Sequence, residues 1–326
     1  MAFERLFLGI ALTSSSLTAA GLSAVESEPK ANPIAVFQAK DQRLQNVGWK
    51  LVRGNAEICE NPIAAIGLQL QDMAVFGDPE LARRAIGIKG SFAVQTAAQG
   101  SPAALSGAFT PNREITRIAS QDPNAWPAKP SEDWRRLTRS HDTIDAVLAD
   151  QGSIAFGFAN GETIEIASVS ACATRFELAT NNSKAVAEGA RVIVGERFVG
   201  FAYPDEVFAG AVAHELAHNL LGHRVWLDRN KRKRRNIRLT EREADRLMPW
   251  LMANAGYDPQ SAVIFMETWG PKHDGGLFRG RTHDGWDERA EFIAAEIPRI
   301  KELMEATGKA DWSVHFRREI DPNKGL

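Results

Sequence analysis

The sequence predicts an α+β chain in two parts, a β-rich front and a mostly helical back. Three observations carry that prediction. At 326 residues the chain exceeds one average domain and suits two. Between residues 62 and 170 short apolar runs alternate with glycine and proline turns, the pattern of strands. Beyond residue 170 helical spacing dominates, and five of the seven histidines (214, 218, 223, 273 and 283) cluster there within seventy residues.

Composition sets the outer bounds. Apolar residues make up 44% and charged residues 25%, which excludes a disordered, collagen-like or polytopic membrane protein. The net charge of −2 gives no global basic field, so nucleic acid is not an expected partner.

Residues 1–24 read as a secretory signal peptide. Arg5 precedes the apolar run 6–12, and small residues follow, with cleavage sites after Ala20 or Ala24. The run is too short for a membrane span, which needs about 20 apolar residues. The expectation is an exported, periplasmic or secreted protein that is not integral to a membrane after cleavage; an uncleaved anchor is the alternative. In an oxidising compartment Cys59 and Cys172 pair, or they stand as two separate buried thiols; the sequence leaves both open.

Residues 25–61 are weakly patterned and read as a linker with a first strand. Strands are expected over 63–70, 91–97, 115–119, 153–159 and 163–169, with a helix over 140–148 and a long loop over 121–133. Asn160-Gly161 between the last two strands predicts a type I′ hairpin. Residues 62–170 resemble a PDZ domain of the bacterial protease type. The residues that carry this are Gly100-Ser101-Pro102-Ala103-Ala104 and Ile115-Thr116-Arg117-Ile118, followed by the helix and closing hairpin. The resemblance implies that Ile66, Gly67 and Leu68 form a loop whose backbone N–H groups receive a peptide carboxylate. The family's Gly-Asp pair is here Pro111-Asn112, a departure that bears on peptide binding.

The clearest helix covers residues 205–223, with Pro204 ahead of it and Asp205 and Glu206 in its first turn. It contains His214-Glu215-Leu216-Ala217-His218. Histidines four apart project from one face, so both rings can reach one metal ion. Glu215 adjoins them and is placed to take a proton from a metal-bound water. A third ligand comes from the stretch 240–245. There Thr240 and Glu243 fit a capping box, which gives Glu243 a structural task. Glu241 and Asp245 share a face four residues apart. Glu241 is therefore the better third ligand, and Asp245 is placed to orient a histidine.

Together these residues resemble the zinc metallopeptidases of the HtpX, BepA and CAAX-protease family, the gluzincins, whose pattern is a His-Glu motif followed by a Glu-x-x-Ala-Asp helix. The resemblance covers about residues 170–310. It implies one Zn²⁺ per chain and an active-site edge strand over residues 185–194. It also implies a loop at Thr282-His283 in which His283 stabilises the oxyanion or caps the metal and Arg289 holds the loop; Asp284 stands where the family has proline. His223 sits five residues after His218 with Gly222 four after it, which does not fit a metzincin, and it reads as a helix-end residue near a C-terminal dipole. The seven basic residues within 229–238 read as a solvated loop between two active-site helices.

The expected organisation is thus a signal peptide (1–24), a linker and strand (25–61), a PDZ-like domain (62–170) and a zinc metallopeptidase domain (171–326). The expected function is an exported zinc metalloendopeptidase acting on protein or peptide substrates, in protein quality control on misfolded or envelope proteins. The alternative is a peptide-binding, chaperone-like protein with a latent or structural zinc site.

Overall fold

A computed structural model describes residues 32–273 and 284–323. The signal-peptide segment and His283 lie outside the described residues. The chain is α+β, with small sheets set among longer helices.

The first described element is a helix, α1 (Pro33–Gly54), where the sequence reading placed a linker and strand. Asn32 caps it through its side chain, which accepts from the Ile34 N–H, and Pro33 supplies the fixed φ suited to a first helical position. Leu44, Val47, Leu51 and Val52 repeat on one face and are buried against residues from beyond position 170. Gly48 allows the closest approach: a Cβ there would stand 2.4 Å from the Phe176 ring.

A β-rich module follows: β1 (Pro62–Ala65), β2 (Leu68–Asp72), α2 (Pro79–Ile86), β3 (Phe92–Ala97), α3 (Pro102–Leu105), β4 (Ile115–Ile118), α4 (Arg135–Gln151), β5 (Ser153–Phe158), β6 (Thr163–Ala167) and β7 (Val169–Cys172). β2 pairs with β3, and β4, β5 and β6 form an antiparallel sheet. These strands and α4 enclose a core of Leu70, Phe92, Ile115, Ile118, Leu148, Ile154 and Phe156. The expected strand over 63–70 is broken at Gly67, whose φ of +66° turns β1 away from β2. The hairpin at Asn160-Gly161 forms, but not as type I′. Only Gly161 has positive φ, and its N–H closes the turn onto the Phe158 carbonyl at 2.9 Å.

The module enters and leaves at one place. β1 pairs antiparallel with β7, with Pro62 opposite Cys172. A Cys59–Cys172 disulfide closes this neck with a Cα–Cα distance of 5.6 Å, so the two cysteines are paired. The second half is therefore not a separate run of sequence. It takes α1 from before the module and adds β8 (Arg175–Ala179), β9 (Ala185–Ala187), β10 (Arg191–Gly195), α5 (Asp205–Leu220), α6 (His223–Asn230), α7 (Arg234–Asn254), α8 (Gln260–His273), α9 (Trp286–Thr307) and α10 (Trp312–His315). β10 lies between β8, parallel to it, and β9, antiparallel to it. The edge strand of residues 185–194 is thus β9 alone, because β10 is central.

α5 is buried on nearly all sides, from Val207 through Ala213, because it crosses the middle of this core against α7 and α8. Gly222, in the left-handed region, ends the helix run and redirects the chain into α6. α7 begins at Arg234, so Thr240 is inside a helix and donates to the Ile237 carbonyl instead of capping. The basic run 229–238 spans the end of α6, an exposed three-residue connection (231–233) and the first turns of α7, so the loop is shorter than expected.

Candidate metal centre

α5 and α7 pack against each other and bring the three proposed ligands together. His214 and His218 stand one turn apart on α5, with Nε2 atoms 3.2 Å from each other. Glu241 reaches in from α7, Oε2 3.5 Å from His214 Nε2 and Oε1 3.6 Å from His218 Nε2. Among the described residues these three form the group able to hold a metal ion, with one ligand atom from each within 4.8 Å of the others. The three side chains keep 11, 14 and 18% exposure, so one side of the triangle remains open to solvent.

The donor set fits a zinc-like ion. Ligand atoms about 2.0–2.2 Å from a tetrahedral ion lie roughly 3.3–3.6 Å apart, close to the 3.2, 3.5 and 3.6 Å separations seen here, the last two to different oxygens of Glu241. In the metal-free site burial works against charge on His214, but Asp245 and Glu241 outweigh it and lift the ring to about 10. Burial lowers His218 to about 3, with His214 and His223 adding to the effect. His214 thus holds a proton where a cation would sit, and metal binding would release it.

Glu215 is also on α5, at the rim of the triangle. Burial raises it to about 7, partly offset by His214 and by the backbone N–H of Ala187 on β9. A carboxylate poised near neutrality is suited to taking up and giving back a proton.

Asp245 lies one turn beyond Glu241 on α7, fully buried, with Oδ1 3.0 Å from His214 Nδ1, an ion-pair distance without hydrogen-bond alignment. Arg289 from α9 grips both Asp245 oxygens, Nε to Oδ2 at 2.7 Å and Nη2 to Oδ1 at 2.8 Å. Arg289 therefore serves Asp245 directly; the Thr282-His283 loop that the family resemblance has it hold lies outside the described residues. Asp284 is tied instead to α7 beside the site, accepting from Arg242 Nε at 3.0 Å and Nη2 at 2.9 Å.

Two residues have tasks the sequence reading did not assign. His223 is not at a helix C-terminus. It is the first residue of α6, buried, with Nδ1 2.9 Å from His218 Nδ1 and Nε2 3.0 Å from Glu243 Oε2. Glu243 has a structural task, as expected, but across tertiary contacts rather than at a helix cap. It accepts from Arg318 Nε at 2.9 Å and from the backbone N–H groups of Glu319 and Ile320. The spacing of His223 was visible in the sequence; nothing there pointed to Arg318.

Ile66, Gly67 and Leu68 border a narrow cavity of about 90 Å³ between β2 and α4. Gln45 and Trp49 of α1 and Phe176 of β8 close its other side.

Compared with known proteins, the chain matches no family model, no curated protein and no solved structure. Among the described residues no helix is long and apolar enough to cross a membrane.

Proposed function

We propose that this chain is an exported zinc metalloendopeptidase of gluzincin type carrying an inserted PDZ-like module. The observation that supports it most is the His214–His218–Glu241 triangle with one open side and Glu215 at its rim. When bound, zinc supplies a Lewis acid that polarises a peptide carbonyl and makes water acidic near neutral pH. His214, His218 and Glu241 would hold it. Glu215 takes the proton of the attacking water onto a carboxylate oxygen and delivers it to the leaving amine nitrogen. β9, an edge strand among the described residues, lies beside Glu215 and offers its backbone to an extended substrate. The disulfide at the module's neck is consistent with an oxidising compartment. Misfolded or envelope proteins are the substrate class that this reading favours.

The open side of the triangle favours catalysis over a closed structural zinc site. Glu215→Gln is expected to keep zinc and to lose casein cleavage, while the wild-type activity is abolished by a chelator and restored by zinc. Cleavage retained by a metal-loaded Glu215→Gln protein would overturn the assignment.

A further inference from the structure

The contacts behind His218 form a single line: His218 Nδ1 to His223 Nδ1 at 2.9 Å, His223 Nε2 to Glu243 Oε2 at 3.0 Å, and Glu243 Oε2 to Arg318 Nε at 2.9 Å. His223 and Glu243 are buried, at 1 and 0% exposure, so water cannot substitute along it. Where two ring nitrogens meet at hydrogen-bond distance, one must donate and the other accept.

With both rings neutral, only one arrangement of protons satisfies both ends. The Glu243 oxygens already accept from Arg318 and from two backbone N–H groups, so the carboxylate can only accept from His223. The His223 proton is then on Nε2, and its Nδ1 is an acceptor. That acceptor requires a proton on His218 Nδ1, which leaves the His218 Nε2 lone pair facing His214 and Glu241. The reverse arrangement sets His223 Nε2 and the carboxylate against each other as two buried acceptors and puts the His218 proton where a metal would sit.

We propose that His223 and Glu243, anchored by Arg318, are positioning residues that hold His218 in its metal-binding tautomer. They stand behind His218 as Asp245 and Arg289 stand behind His214, although the neighbour is a second histidine rather than a carboxylate. The inference rests on the metal-centre reading above, and its test separates the two.

Zinc affinity of the full chain, measured by competition with a chromophoric chelator, is expected to fall about 10–100-fold in His223→Leu. In His223→Gln it should stay within a few-fold, because the amide oxygen accepts from His218 while its NH₂ donates to Glu243. The visible absorption of the cobalt-loaded protein should change in the leucine variant and not in the glutamine variant. A role in packing alone would lower the melting temperature without separating the two in affinity or spectrum. If His223→Leu does not fold, Arg318→Met carries the test, since Arg318 is part-exposed and its loss leaves both buried partners in place. Weaker zinc binding in Arg318→Met supports the proposal, and unchanged binding overturns it. Wild-type affinity in a folded His223→Leu overturns this inference alone, whereas a wild-type chain that binds no zinc overturns the metal centre as well.

Discussion

Behind each histidine of the candidate metal centre stands a line of partnered polar groups that ends in an arginine, whereas the ion pair beside Ile66, Gly67 and Leu68, Arg175 with Asp145, is part-exposed in the lining of the adjoining cavity. Asp245 and Arg289 back His214, while His223, Glu243 and Arg318 back His218. At the loop of the inserted module the backbone serves the module's own fold. The Ile66 carbonyl accepts from Ala103 N–H and the Gly67 carbonyl from Ala98 N–H, and Trp49 of α1 helps to close the adjoining cavity. Buried polar groups are costly unless partnered, so a site with partners arranged two deep is one the fold holds in a fixed geometry. A short motif becomes a candidate site when such support exists, and the difference supports the proposed chemistry at α5 and α7.

The strongest way to break that comparison is to remove the chemistry and then its support. Glu215→Gln should lower hydrolysis on the order of 10²–10⁴-fold, the range for loss of a positioned proton carrier, with zinc retained. Arg289→Met should act on the support. It leaves Asp245 buried without its cation, which costs about 3–5 kcal/mol in urea unfolding, and weakens zinc binding by about 10–100-fold. If Arg289→Met were as stable and bound zinc as tightly as wild type, the chain behind His214 would be ornament and the contrast with the module would fail.

The disulfide probes the other region. Cys59 and Cys172 are 113 residues apart and close the entry and exit of the module. A double Cys59→Ser, Cys172→Ser variant is expected to lose about 2–5 kcal/mol of stability, since a long loop is released in the unfolded chain. Its zinc affinity should stay within about twofold of wild type, because none of the groups behind the two histidines belongs to the module. A parallel fall in zinc affinity would show that the module and the metal centre are one energetic unit.

What was legible in the sequence follows the range of the interaction. His214, Glu215 and His218, and again Glu241 and Asp245, were readable because spacing along one helix fixes which side chains share a face. The strands β3 to β6 were readable from local alternation and turn residues. α1 was not, although Asn32-Pro33 is a cap signal, because its burial depends on β8, α5 and α7, which follow the whole module. The start of α7 was misplaced for an electrostatic reason. Lys233, Arg234 and Arg235 lie at the positive end of its dipole, where acidic residues are the usual mark. His223 and Glu243 became partners only because Gly222 turns the chain back beside α7.

The smallest expected effect concerns the junction between the two regions. Arg175 of β8 forms an ion pair with Asp145 of α4, and His141, one turn earlier on α4, is held down to about 3 by burial and by the Arg175 charge. In the unfolded chain the ring has its ordinary value of 6.5. The unfolded state therefore binds more protons between those values. The contribution of the neutral ring is fully present above pH 6.5 and is lost progressively as the pH falls from there towards 3. Between pH 7 and pH 5 the wild type should lose about 2 kcal/mol more than His141→Gln, read from urea midpoints of the two proteins at both pH values. The same measurement on Arg175→Gln should give a shallower dependence than wild type, because burial remains and the nearby charge is gone. Equal slopes in wild type and His141→Gln would mean that the ring is solvated and α4 sits loosely on β8. The module would then be independent of the metal-binding core at its surface as well as in its internal packing.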